Sequence, residues 1–297
     1  MSNTLATTGT RSSSGIDPVA YGYDRPVLFY ALATAIPWAC WVVAGWLSHL
    51  PEQTQAVRMG TTVFGLAGLI APVLVMLWLL RDKPALRADL WRRLLWRRGV
   101  QRRYIACAVF LLLASILLAQ AVSLLFGYSA GQFALRDGFS FSSGLVPVWM
   151  ILVLAPLLEE LAWHGYGTDA LVSRMRLFTA SLVFTVIWTL WHLPLSLING
   201  YYHSEVVAQG WLHAVNFPLS MIPFVLIMNW LYYRTGRSVT VAIVFHITAG
   251  YVNEIFMTHP DTKIIQTVLL LAFAAVVVVR NRDLFFGAPR LARGMTQ

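Results

Sequence analysis

Long apolar runs alternate with short polar stretches along most of the chain. They fall at about 27–49, 57–80, 104–127, 145–164, 178–199, 213–233, 239–258 and 264–281. A helix needs roughly 20 mainly apolar residues to cross a bilayer, and these eight runs reach or approach that length. The predicted architecture is all-α, a polytopic integral membrane bundle of about eight transmembrane helices. Glu159 and Glu160 interrupt the fourth run. Arg280 closes the eighth, where it can snorkel to the interface. Residues 1–26 are polar and rich in Ser, Thr and Gly, and read as a flexible tail, not a cleaved signal peptide. Residues 27–281 read as the membrane domain and 282–297 as a basic C-terminal tail.

Composition supports a bilayer setting. Hydrophobic types make up 58% of the 297 residues and charged types 12%, against about 25% charged in a soluble domain. That excludes a disordered chain and argues against a soluble enzyme. The formal net charge is +9, and its placement gives an orientation. Of 22 Lys and Arg, nineteen fall in the N-terminal tail, in 81–103, in 174–176, in 234–237 and from Arg280 onward. Only Arg58, Arg136 and Lys263 fall in the alternate loops. The positive-inside rule then places both termini in the cytoplasm and the loop 200–212 outside, in a cell inner (plasma) membrane, by preference a bacterial one.

The stretch 81–103 sets Trp91 and Trp96 among Leu90, Leu94 and Leu95, with arginine pairs between. It reads either as a basic amphipathic helix on anionic lipid or as a topology determinant alone. Nucleic acid is not an expected partner, because no folded reader domain accompanies the charge. Cys40 and Cys107 lie in different apolar runs without metal-type spacing and read as free thiols.

Ionisable residues inside a membrane segment cost at least about 2.5–3.5 kcal/mol each, which makes them functional candidates. Glu159, Glu160, Glu254, His164, His192 and His246 fall within spans or at their ends. His49, His203, His213 and His259 read as interfacial. Glu159 and Glu160 point about 100° apart on a helix, while Glu160 and His164 share a face. One carboxylate can then act on a water while the other pairs with His164. Trp188 and His192 share a face of the fifth run, just before Pro194. Asn253 lies close to the His246 face of the seventh, about 10 Å along the axis. Counted from helix ends, Glu159 and His246 lie roughly 10 Å from the cytoplasmic boundary. A lone intramembrane histidine is more often a satisfied core residue. Two glutamates and two histidines from three helices suggest one buried site for hydrolysis, with a carboxylate base and imidazoles holding water or a divalent metal such as zinc. No His-Glu-x-x-His and no Gly-x-Ser-x-Gly run occurs.

These residues resemble the CPBP intramembrane proteases, which include CAAX prenyl endopeptidases of the Ras-converting type and Abi-like bacterial relatives. That family carries Glu-Glu-x-x-x-Arg, then an aromatic-x-x-x-His, then His-x-x-x-Asn. Here the matches are Glu159-Glu160-Leu-Ala-Trp-His164, then Trp188-Thr-Leu-Trp-His192, then Phe245-His246 after Arg234-Thr-Gly, over about residues 145–255. The resemblance implies an intramembrane endopeptidase acting near the cytoplasmic face on a membrane-anchored, CAAX-like lipidated substrate. It implies Glu159 as the base that activates water, and Glu160 as a supporting carboxylate. His192 and His246 would hold that water, or a metal together with Glu159, and stabilise the oxyanion. His164, Trp188 and Asn253 would support them. Two positions depart from the pattern: His164 replaces the arginine and Gly250 the asparagine. Two other readings are a catalytically inactive binding or immunity protein of the same fold, and a proton or metal transporter.

Overall fold

The computed structural model describes residues 22–94 and 100–288. Among the described residues, seven helices are long and apolar enough to cross a membrane, and an eighth is shorter. α1 (Pro26–Ser48) and α2 (Gln55–Leu80) form an antiparallel pair. Trp41 of α1 donates its indole N–H to the Gly65 carbonyl at 3.0 Å. Any Cβ at Gly68 would meet Trp41 Nε1 at 2.3 Å, so glycine there sets how closely the two helices approach. α3 (Pro84–Leu94) is short, and α4 (Arg102–Ser123) crosses back.

The fourth crossing differs from the sequence expectation. α5 (Val148–Ala162) passes through a π-helical turn, Trp163–Gly167, into α6 (Thr168–Val172). The span is 25 residues, Val148–Val172, not 145–164. Gly165 and Gly167 read in the sequence as a helix end. Here they let α1 and α2 approach, since a Cβ at Gly167 would meet Tyr30 Oη at 2.7 Å.

α7 (Leu177–His192) ends where Pro194 follows, because proline removes a helical N–H and crowds the preceding turn. α8 (Tyr202–Ala208) is a short helix in the loop before α9 (Trp211–Arg234). α10 (Val239–Ile255) runs unbroken through Gly250 and packs against α4, α5 and α9. α11 (Pro260–Arg280) is the last crossing, and α12 (Arg282–Phe286) docks on α7.

Packing reaches into both stretches read as tails. Residues 1–21 lie outside the described set, but Tyr23 is packed at 1% exposure. Phe285 of α12 is also buried, while 289–297 lie outside the described residues. Cys40 and Cys107 are free.

The loops after α2, α6 and α9 gather at one end of the bundle, the basic end. There α3 is not laid wholly on a surface. Its Leu86, Asp89, Leu90 and Arg93 are buried in the bundle, while Arg87, Trp91 and Arg92 are exposed. Leu95 through Arg98, including Trp96, lie outside the described residues.

Candidate active site

The apolar surroundings leave the few polar side chains of the core with only each other as partners, and buried polar groups must be partnered. Glu160, fully buried, bridges two imidazoles. Its Oε1 accepts from His246 Nδ1 at 2.7 Å, and its Oε2 accepts from His164 Nδ1. The other nitrogen of His164 faces Asn229 Oδ1 at 3.0 Å. Asn229 is oriented by donating its own N–H to Ser181 Oγ at 2.9 Å. Both ring nitrogens of His164 thus face acceptors.

Glu159, 6% exposed, accepts the Trp188 indole N–H at Oε2 (2.8 Å). His192 donates Nδ1–H to the Trp188 carbonyl at 2.7 Å. That bond fixes its tautomer and leaves Nε2 facing Glu159 Oε2 at 3.9 Å. This gap is too wide for a direct hydrogen bond and suits one water bonded to both. Trp188 is therefore the bracket of the site: its ring N–H orients the carboxylate and its carbonyl orients the imidazole.

Two cavities meet at Glu159 and His192. One, of about 450 Å³, extends along α1 and α2 toward Arg58 and Ser142. The other, of about 270 Å³, runs along α10 past His246 and Gly250 to Asn253. Asn253 shares the cavity wall but donates to Glu254 at 3.1 Å, at the far end from Glu159. Glu254 is committed to the loop, accepting from Ser140 N and Oγ at 2.9 and 2.7 Å. Among the described residues no three His, Cys, Asp or Glu side chains are gathered as metal ligands.

Two sequence expectations need correction. Glu159 is not about 10 Å from the basic end. The helix continues through the π-helical turn, so thirteen residues, or about 20 Å, separate it from Val172. His246 does sit about 10 Å from its helix start, seven residues after Val239. The cavities open toward the loops of the opposite end, not the basic one. His203 is not interfacial either. It stacks on His192 with ring centroids 5.0 Å apart and lines both cavities. Burial, reinforced by the neighbouring His192, holds its imidazole well below the usual histidine pKa, so it is neutral.

Sequence reading also missed Asn229, although a lone asparagine in an apolar run was the available signal. It missed the clamp beneath the site as well. Arg93 donates to the His164 and Gly165 carbonyls at 2.8 and 2.9 Å. These are backbone groups of the π-helical turn. Asp169 and Asp89 are shared between Arg93 and Arg237, with Arg237 at 2.6 and 3.0 Å.

A family model described as Type II CAAX prenyl endopeptidase Rce1-like matches residues 141–252. The chain is also 33% identical over 269 residues to a CAAX prenyl protease 2 of Methanococcus maripaludis, a match covering 90% of this chain and 97% of the relative.

Proposed function

Since the chain belongs to the Rce1-like type II CAAX prenyl endopeptidases, and is thus a multi-pass intramembrane protease, we propose that Glu159 activates the water that cleaves a membrane-anchored, prenylated substrate. The observation that carries this reading is the 3.9 Å gap between Glu159 Oε2 and His192 Nε2 where two cavities meet. A water in that gap donates one hydrogen to each acceptor. Glu159 takes a proton as the oxygen attacks the scissile carbonyl carbon, and later passes it to the leaving amine. His246 gives its Nδ1–H to Glu160. As an imidazolium paired with that carboxylate, it donates Nε2–H to the oxyanion. Glu160 and His164 keep the charges in register. The exposed Arg87, Trp91 and Arg92 face of α3 meets anionic lipid at the basic end.

The test is Glu159→Gln in reconstituted membranes, with a short lipidated CAAX-like peptide. Loss of a general base costs about 10²- to 10⁴-fold in kcat, with melting unchanged because the isostere can still accept the Trp188 N–H. Undiminished cleavage by the variant sinks the assignment. Activity that survives chelation fits the glutamate route. Activity lost to chelation and restored by zinc assigns His192, His246 and Glu159 to an ion instead. Gly250, in place of the family asparagine, is the feature favouring a non-catalytic binding role, and failure of the native chain to cut any such peptide would support that role.

A further inference from the structure

A third cavity, of about 180 Å³, adjoins the one that holds His246, and the two share Asn253, Ser220 and Gln266. Two of the three basic residues expected at this end of the bundle, Arg136 and Lys263, line it. The fold places them there deliberately. The Arg136 backbone N–H bonds the Ile255 carbonyl at 2.9 Å, beside an isolated antiparallel bridge between Leu135 and Phe256. That bridge pins the Arg136 segment to the end of α10. Lys263 is in the first turn of α11.

Both cations are under-used. Arg136 Nε is buried with no hydrogen-bond partner among the described residues. Lys263 Nζ has only a long contact, 3.5 Å, to the Asn253 carbonyl. The nearby acids make no ion pair with either cation among the described residues, although the Glu254 charge acts on Lys263 across space. Glu254 is occupied by Ser140 and Asn253. Asp261 lies 3.4 Å from His213. Glu205 alone lines the same wall with a carboxylate that makes no ion pair among the described residues. The cavity lining carries two cations, Arg136 and Lys263, against one carboxylate, Glu205, and a buried guanidinium nitrogen without an acceptor is costly.

We propose that this cavity is an anion subsite that takes the free C-terminal carboxylate of the substrate. The inference rests on the peptidase reading above and adds how the peptide is oriented. Three residues follow the lipidated cysteine of a C-a-a-X terminus, and three extended residues span about 10 Å. From His246 to Asn253 is seven residues of α10, again about 10 Å. A peptide with its scissile carbonyl at Glu159 and His246 thus reaches Arg136 and Lys263 with its last carboxylate. The lipid-bearing side then falls in the larger cavity along α1 and α2.

The experiment compares one lipidated peptide as free acid and as C-terminal amide. The native chain is expected to prefer the acid about tenfold or more in kcat/KM, the scale of a charge-assisted contact. Arg136→Gln and Lys263→Gln should lower the rate on the acid and leave the amide unchanged, collapsing the preference. Lys263→Arg should restore it. Binding of the same two peptides to the Glu159→Gln chain should show the same preference without turnover. Equal use of both peptides by the native chain overturns the subsite, as does equal weakening of both by the variants. Collapse of the preference in Arg58→Gln, with Arg136→Gln normal, would move the carboxylate to the other cavity and overturn it too. Preferential binding without any cleavage would retain the subsite and reject the peptidase reading. Absence of both binding and cleavage rejects both.

Discussion

Arg93→Met removes the clamp under the helix that carries Glu159 and Glu160 while keeping much of the side-chain volume. Arg93 is 2% exposed. Its guanidinium donates to Tyr232 Oη (2.6 Å), Tyr23 Oη (2.7 Å) and two carbonyls of the π-helical turn, and it pairs with Asp89 and Asp169. Breaking a buried ion pair from one side costs about 3–5 kcal/mol, because the partner is left charged in a poor solvent. Here Asp89 and Asp169 keep Arg237 at 3.0 and 2.6 Å, so the low end, about 3 kcal/mol, is the expected value. At about 2–4 °C per kcal/mol for a chain of this size class, melting should fall by roughly 6–12 °C. Activity should fall as well, because the freed carbonyls belong to His164 and Gly165, and His164 holds Glu160. The assay is thermal unfolding in detergent or nanodiscs, followed by peptide cleavage well below the lowered melting point. Arg93→Lys should be intermediate, as an ammonium cannot fork across both carbonyls and both carboxylates. If Arg93→Met melts within about 1 °C of the native chain, the clamp does not hold the turn and the reasoning fails.

Trp188→Phe keeps an aromatic ring but removes the pyrrole part of the indole with the N–H that reaches Glu159 Oε2 at 2.8 Å. A hydrogen bond to a charged group is worth about 1.5–3 kcal/mol, so kcat should fall about ten- to a hundredfold and melting by roughly 3–12 °C, and an unaltered kcat would remove Trp188 from the site. Gly250→Asn places a Cβ 3.2 Å from the Leu152 side-chain tip, Cδ2, and α10 is already helical there. It should fold with a stability change under about 1 kcal/mol and raise kcat by adding an amide donor to the cavity. A variant that does not fold would show that the cavity is closed to side chains. Single cysteines in 200–212, with Cys40 and Cys107 replaced, should react with an impermeant maleimide from outside the cell. Reaction only after permeabilisation would reverse the orientation and turn the cavity mouth to the cytoplasm.

Much of this site was legible because a charged or imidazole side chain in an apolar run stands out. Glu159, Glu160, His192 and His246 stood out that way; the structure sets Glu159, His192 and His246 on the walls of the two cavities and buries Glu160 behind them against His246. Spacing also gave the contact between Glu160 and His164, four residues apart on one helix. What stayed hidden depended on long sequence separation or on irregular backbone. Asp89, Asp169 and Arg237 looked like loop charges that orient the chain, since nothing local shows that residues 68 and 148 positions apart will pair. The π-helical turn has no periodic signature, and its glycines mimic a helix terminus, which shortened the fourth span and misplaced Glu159 in depth. His203 sat in a loop that hydropathy could only label as polar.

With Glu159 as the proposed base, its depth also decides what becomes of the products. A substrate held by a hydrocarbon chain need not be lifted from the bilayer to be cut, and each methylene kept in lipid avoids a cost of about 0.8 kcal/mol. Cleavage at that depth sorts the fragments by solubility. The short released peptide gains an ammonium at its new end, keeps its carboxylate and partitions to water through the open end of the cavities. The fragment that keeps the chain slides back sideways among the acyl tails, vacating the site in the opposite direction.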